Sequence, residues 1–211
     1  MSTPASSALS GPIAPEDEAR ANFYALLARL YAAAPDASLL QTVAAADDLE
    51  VAAGAGPARD LAHAWGKLKR ASGAIGADAV AQEYVDLFVG VGKSEVSLHA
   101  AEYLQSRGGS VLAELRGELA RLGLGRRQEV NLFEDHLAAV LETMRVLIAG
   151  GPGIEPRGIP EQRALFAAYV ASWVPACCAA ISSKSIANYY GRVAELTDSF
   201  VAIERDSFAI E

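Results

Sequence analysis

EVNLFEDHLAAVLETMRVLI, residues 129–148, is the stretch that best predicts the fold. Its apolar side chains recur at the three- and four-residue spacing that places them on one face of an α-helix. Asn131 is expected to be the N-cap, and Glu134 stands where a capping-box carboxylate would reach back to it. Gly150 and Gly151 follow the last apolar residues and predict the end of the helix. The stretch therefore predicts an amphipathic helix that begins near Asn131.

Charged and small side chains form a second face of this predicted helix. Asp135, Ala138, Ala139 and Glu142 fall together beside the apolar stripe, which predicts a shallow acidic surface. His136 follows Asp135 directly, so the two side chains point roughly 100° apart and are poorly placed to chelate one ion. A solvated helix face with a capped end explains the same pattern. The residues alone therefore leave the function of this surface open.

Composition predicts an all-α protein. Alanine dominates the apolar residues and favours helix, while valine, isoleucine and threonine do not form alternating runs. The 211 residues suffice for one large domain or two small ones. We expect a flexible tail at residues 1–14 and a helical domain at 15–211. Glycines and prolines are concentrated at 150–160, which predicts a loop or hinge there.

Charge and cysteine content limit the chemical class of the binding partner and indicate the cellular compartment. The net charge of −8 argues against nucleic acid, because phosphate binding needs a basic surface. It suits a basic or apolar partner, such as a peptide that carries arginines. Cys177 and Cys178 are adjacent in an apolar stretch and are expected to be buried free thiols, which is typical of a reducing compartment. The N-terminus has no secretory pattern, so we expect a cytoplasmic protein.

One uncharged run, residues 164–183, has the length of a membrane span. It is rich in alanine and serine and contains Pro175, so its mean hydropathy is low. A central helix that neighbouring helices bury explains the run better than a span. We therefore expect no stable membrane insertion.

The other helices follow from turn and capping signals. Glycine and proline breaks, together with periodic apolar residues, predict helices from Pro15 to about Pro35, from there to about Val51, through Leu61 to Ser72, from Asp78 to Gly90, at 110–122, from Pro160 onward and at 184–206. Tyr84 and Phe88 share an apolar face of the fourth helix. Gly90 and Gly92 then release the chain into a loop that contains His99.

Catalytic and ligand-binding motifs are absent from the sequence. There is no HExxH, no paired Glu-x-x-His, no GxSxG, and GVGKS at 90–94 lacks the P-loop spacing. His99, alone in its loop, is expected to be a hydrogen-bonded structural residue more than a ligand. We therefore predict that the protein is not an enzyme and has no cofactor or metal.

Three segments together resemble a known family. EYVDLFVGVGKSEVSLHAAEYL (83–104), NLFEDHLAAVLETMRVL (131–147) and QRALFAAYVASWVPACCAAISSKSIANYYGRVAELTDSF (162–200) are similar, in the same order, to segments of the TorD/DmsD/NarJ family of redox-enzyme maturation chaperones. The second segment resembles the family's Glu-x-Pro-x-Asp-His helix. Asn131 stands where that motif has Glu and Phe133 where it has Pro, and Ala101 lies near a position where serine is common.

The resemblance implies a single all-helical bundle in the cytoplasm. It implies a chaperone that binds the twin-arginine signal peptide, or N-terminal region, of the precursor of a molybdenum-containing oxidoreductase subunit until the cofactor is inserted. When the family's peptide-binding positions are matched to this sequence, they fall on Asp135 and His136. A looser match adds Glu134, Tyr84, Phe88 and His99. Carboxylates of Glu134, Asp135 and Glu142 would pair with the arginines. Aromatic side chains near Gly90–Gly92 would receive the apolar part of the peptide, and His136, titrating near neutral pH, would adjust affinity.

Two other functions remain open at this stage. The chain is alternatively a permanent structural or assembly subunit of an oxidoreductase complex, or a small-molecule-binding helical domain or enzyme that uses the Asp135–His136 pair. A homodimer is possible, including one that exchanges helices through the hinge at 150–160. The sequence does not name the client enzyme.

Overall fold

The computed structural model describes residues 13–50, 56–106, 109–126 and 131–210, and within them the chain forms nine α-helices and no strand. The helices are α1 (Pro15–Ala32), α2 (Ala37–Ala45), α3 (Pro57–Ala74), α4 (Ala77–Tyr84), α5 (Val111–Arg121), α6 (Leu137–Ala149), α7 (Ile159–Tyr169), α8 (Val174–Ser182) and α9 (Tyr189–Ile210). A π-helical turn, Val85–Val89, continues α4, and a 3₁₀ turn, Ala100–Glu102, follows. The predicted all-α class is confirmed.

Local chemistry explains many helix ends. Asp36 caps α2 by accepting a hydrogen bond from the amide of Leu39 at 2.8 Å, and Ser110 caps α5 through the amide of Ala113 at 3.1 Å. Proline occupies the first turn of α1, α3, α7 and α8, where its missing N–H costs nothing. Gly150 ends α6 with a φ of +73°, and a Cβ there would lie 2.7 Å from the carbonyl oxygen of Ile154. Only glycine fits that position without strain.

Helix α9 is central to the bundle. It packs against α3 on one side and α8 on another, while α1 packs along α6 and α2 along α3. The largest fully buried side chains lie between these helices and are Trp173, Tyr24, Tyr31, Tyr189, Tyr190 and Phe166. Burial of their large apolar surface accounts for most of the cohesion of such a bundle.

A buried ion pair joins the first and last helices. Glu204 of α9 is 1% exposed, and its carboxylate accepts hydrogen bonds from Arg20 Nε at 2.8 Å, Arg20 Nη2 at 3.0 Å and the Tyr24 hydroxyl at 2.9 Å. Arg20 also pairs with Asp17 at 2.9 Å. Every charge buried at this junction is therefore matched, as a stable buried pair requires.

Several predicted boundaries are wrong. Helix α6 begins at Leu137 and not near Asn131, so Asn131 is not its N-cap and Glu134 closes no capping box. The long apolar helix is two helices, α7 and α8, that are bent by 44° at the break between them. The last helix begins at Tyr189, five residues after the predicted Lys184. The second helix ends at Ala45, and Val51, the predicted end, lies outside the described residues.

Burial accounts for the cysteines but for only one face of the apolar run, because Ala167, Ala168 and Ala176 are exposed. The expectation of a central helix covered by its neighbours is therefore wrong for the other face. Among the described residues no single helix is long and apolar enough to cross a bilayer; α7 and α8 together reach that length and composition only as a bent pair. Cys177 and Cys178 are both buried and unbonded to each other, as predicted. Burial raises the pKa of the Cys177 thiol to about 11, which keeps it protonated and unreactive.

The predicted domain bounds remain predictions. Residues 1–12 of the predicted tail lie outside the described residues. Residues 150–158 connect α6 to α7 as a loop that contains a short bridge between Gly151 and Ile154, and the hinge stays a prediction.

Candidate functional site

A short backbone bridge determines where α6 begins. The amide of Leu137 donates to the carbonyl of Leu98 at 2.7 Å, and the amide of Ala100 donates to the carbonyl of Asp135 at 2.9 Å. These two hydrogen bonds pair His99 with His136 in an antiparallel bridge. The bridge holds His136 in an extended conformation, and a turn closed by the His136 amide, which donates to the carbonyl of Phe133 at 3.1 Å, precedes it. The helix therefore does not extend back beyond Leu137.

His136 is the N-cap of α6. Its Nδ1 atom accepts a hydrogen bond from the amide of Ala138 at 3.2 Å, and the residue is 6% exposed. Burial, with a further contribution from the neighbouring His99, lowers the pKa of His136 to about 4. The expectation that His136 titrates near neutral pH is therefore wrong, because a buried imidazole that caps a helix must stay neutral to accept its hydrogen bond.

Asp135 is buried next to two histidines. Its carboxylate accepts hydrogen bonds from His99 Nδ1 at 3.1 Å and from the amide of Ala101 at 3.4 Å. Burial acts to raise the pKa of Asp135, but the hydrogen bond and charge of His99, with help from Ala101, hold it below its ordinary value. The rings of His99 and His136 meet edge to face with centroids 5.1 Å apart. We call His99, Asp135 and His136 the Asp–His corner.

The predicted acidic surface is wrong in one respect. Asp135 and Ala138 are each only 3% exposed, so this part of the face is packed core. Ala139 is half-buried and Glu142 is exposed. Because α6 starts six residues later than expected, the Asp135 carboxylate points into the loop contact and does not reach solvent.

An apolar groove lies directly beside the Asp–His corner. It has a volume of about 370 Å³ and runs between α5, the chain before the corner, α6 and the loop after α6. Its apolar lining is Leu119, Leu124, Leu132, Ala139, Val146 and Ile154. We call it the α5–α6 groove. Its volume is within the range of sites that bind small ligands or single large side chains.

Charged side chains of both signs border the α5–α6 groove. Glu134 and Glu142 line it, and so do Arg126 and Arg145. Glu134 accepts a hydrogen bond from Arg116 at 2.9 Å, which lowers the pKa of the Glu134 carboxyl. Glu142 is held by Arg145, whose Nε and Nη2 lie 2.9 Å and 2.7 Å from it. The rim is thus a set of ion pairs and not a purely negative edge.

The predicted site residues divide into three groups. His99, Asp135 and His136 meet in the Asp–His corner, and Glu134 and Glu142 line the adjoining groove. Tyr84 and Phe88 lie elsewhere: they contact each other and Tyr190 of α9, and the Tyr84 hydroxyl donates to the carbonyl of Tyr31 at 3.1 Å. These two aromatic residues therefore pack in the core between α1, α4 and α9.

Sequence reasoning missed the far walls of the groove. Leu119 and Leu124 come from the end of α5, and Ile154 comes from the loop after α6. Their apolar character was visible, but they are distant in sequence from the Asp–His pair. Only packing of α5 and the loop against α6 shows that they share one surface.

The described residues contain no group of three or more histidine, cysteine, aspartate or glutamate side chains that could hold a metal ion. The side chains at the corner and groove offer apolar contact, hydrogen bonds and ion pairs to a ligand.

Comparison with known proteins gives one result. A family model described as nitrate reductase delta subunit matches residues 55–179, more than half of the chain. The match includes α3 to α7, the Asp–His corner and the whole α5–α6 groove. No curated protein matches, and no solved structure matches.

Proposed function

This chain belongs to the nitrate reductase delta subunit family, and we propose that it is an assembly chaperone for a molybdenum-containing oxidoreductase subunit. The family is one of chaperones and assembly factors and not of catalysts. The chaperone would bind the N-terminal region of the precursor, such as a twin-arginine signal peptide, in the cytoplasm and release it once the cofactor is in place.

The α5–α6 groove is the observation that carries this proposal. A signal peptide combines a basic segment with an apolar one, and the groove offers an apolar floor with carboxylates at its edge. The part of the floor that α6 contributes consists of Ala139, Thr143 and Val146, which are half-buried and so remain accessible to a ligand. Transfer of an apolar side chain of the peptide from water into the groove would contribute favourable free energy to binding.

Arginines of the peptide would compete for carboxylates already in ion pairs. The Glu142 side chain is 50% exposed and paired with Arg145 of its own helix. An exposed pair of this kind contributes little to stability, so exchange of Arg145 for a peptide arginine costs little. Bidentate pairing with the new guanidinium would then add orientation to the apolar contact.

In this proposal the Asp–His corner positions the groove. His136 and Asp135 hold the start of α6 and the preceding segment with Glu134 in place, and both side chains are buried. His99, whose side chain is 39% exposed, is the member of the corner that a bound peptide would reach. Tyr84 and Phe88 stay a weaker prediction, since they lie outside the groove.

Peptide binding to groove variants tests the proposal. The probe is a synthetic leader with two adjacent arginines followed by an apolar segment, and the readout is calorimetry. Ala139→Phe fills the floor and should weaken binding about tenfold or more, whereas Ala79→Phe, the same change at an exposed site on α4, should not. Equal affinity of both variants would show that the groove is not the site.

A pull-down from the native cytoplasm tests the partner. A chaperone should capture a precursor and be absent from the mature complex, whereas a permanent subunit would remain in it at stoichiometric amount. Recovery in the mature enzyme would contradict the proposed role and favour a structural subunit.

A further inference from the structure

A second and larger groove lies between α3 and α9 and is basic. It has a volume of about 830 Å³ and is lined by Lys67, Arg70 and Arg192, and Glu195 is the only carboxylate among the described residues that line it. Its floor is made of small residues and Ile75. In a chain with a net charge of −8, three converging cations are an exception to the overall charge. We call this surface the α3–α9 groove.

Two of these cations form no ion pair within the described part of the chain. Lys67 pairs with Glu195 at 2.6 Å. No carboxylate of the described residues comes within ion-pair distance of Arg70 or Arg192. Asp48 is paired with Lys69 at 2.6 Å, which lowers the pKa of Asp48, and the charge of Arg70 helps to lower it. Arg192 donates to the side chain of Asn188 at 2.7 Å, and Arg70 extends along α3 so that its Nη1 lies over Gly66. Two guanidinium groups therefore border the groove with hydrogen-bonding capacity for an anion.

The first two amides of α9 are not available to a phosphate in this groove. Phosphates favour clusters of free backbone N–H groups at a helix N-terminus. The first amides of α9, beside this groove, already donate to Glu83: Tyr189 at 2.9 Å and Tyr190 at 2.7 Å. An anion in the groove would therefore depend on side chains, and arginine side chains form bidentate pairs with carboxylates and phosphates alike. The open floor of the groove favours an extended segment that carries carboxylates over a single small anion.

We propose that the α3–α9 groove binds an acidic polypeptide segment of a partner protein, through carboxylates on Arg70 and Arg192. The shallow floor of Ala71, Ala74 and Gly191 leaves room for the backbone of such a segment. The negative charges elsewhere on the protein are screened beyond about 10 Å at moderate salt, so the local cations determine the attraction. The proposal does not depend on peptide binding at the α5–α6 groove.

The test measures binding of a fluorescent peptide of alternating glutamate and glycine residues by anisotropy, with the glutamine version as a neutral control. The intact protein should bind the acidic peptide, and more weakly as salt is raised. Arg70→Glu with Arg192→Glu should weaken binding about tenfold or more. Arg59→Glu, a charge reversal at an exposed site on the same α3 helix, should have little effect, and Arg70→Lys with Arg192→Lys should retain part of the affinity.

Each other outcome overturns the proposal. No binding, or equal loss in Arg59→Glu, would show that the groove does not select acidic segments. Binding of phosphatidylglycerol vesicles or pyrophosphate through the same arginines, without binding of the peptide, would replace the proposed partner by a lipid surface or a phosphate. The double charge reversal should keep its helicity, melting temperature and affinity for the arginine-containing leader, so failure here is distinct from failure at the other groove.

Discussion

Glu204 and Asp135 are both buried carboxylates that join segments distant in sequence, and they differ in what holds them. Glu204 accepts three side-chain hydrogen bonds of 2.8 to 3.0 Å from Arg20 and Tyr24. Asp135 accepts one from His99 at 3.1 Å and a longer one from the amide of Ala101 at 3.4 Å.

The difference reflects the two places in the fold. Glu204 connects α1 and α9 inside the bundle, with a permanent cation as its partner. Asp135 connects a loop to the start of α6 beside a groove, and its partner is a histidine that is partly exposed. Strong pairing stabilises the core, while weaker pairing at the corner leaves a contact that a ligand is able to change.

Glu204→Gln is expected to have the largest effect. It removes the charge that Arg20 needs while keeping the size of the side chain, and breaking a buried ion pair costs about 3–5 kcal/mol. Urea denaturation should show this loss in the free energy of unfolding. Glu195→Gln, which breaks the half-exposed pair with Lys67, should cost under about 1 kcal/mol. Equal losses in the two variants would remove the distinction between core and surface pairs.

His136 should make stability depend on pH. Its pKa is lowered from 6.5 to about 4 in the folded chain, so between those values the unfolded chain binds a proton that the folded chain does not. The contribution of His136 to the free energy of unfolding is fully present above pH 6.5. It is lost as pH falls toward 4, by about 3 kcal/mol in total. Denaturant titrations across this window measure the loss.

His136→Asn separates this effect from other titrations. Asparagine is a favourable N-cap and does not titrate, so the variant should lose less stability than the native chain between about pH 6.5 and 4. An unchanged slope would show that carboxylates elsewhere cause the whole pH dependence.

Asp135→Asn should have a smaller effect than Glu204→Gln. An amide oxygen still accepts one hydrogen bond, so the expected loss is about 1–2 kcal/mol. Hydrogen exchange should become faster at the amides of Ala100 and Leu137, which form the bridge that the carboxylate supports. Unchanged protection there would mean that Asp135 does not hold the loop on α6.

Glu142→Gln should have the smallest effect on stability, about 0.5 kcal/mol or less, because its pair with Arg145 is on the surface. If the α5–α6 groove binds the leader, the same change should weaken peptide binding measurably by calorimetry. Loss of stability without loss of affinity would contradict its proposed role at the rim.

Much of the fold was predictable because local signals agree with it. Pro15 and Pro160 do lie in the first turns of α1 and α7, and Gly150 does end α6. The site was less predictable. Asp135, His136 and His99 were candidates from the resemblance, but their contact depends on the bridge between residues 98–100 and 135–137. The aromatic residues Tyr84 and Phe88, expected near the same site, pack against α9 because that side of α4 faces the core.

The amino-acid sequence by itself determined the helical class, several helix ends and the burial of the cysteines, since periodicity, proline and glycine act within a few residues. Only the tertiary structure decided that α6 begins at Leu137, because the partner of that amide is the carbonyl of Leu98, far upstream. Packing likewise brought Leu119 and Ile154 to one groove, and Lys67 and Arg192 to another. Contacts of this kind depend on which helix faces pack together, and no local pattern in the chain specifies that.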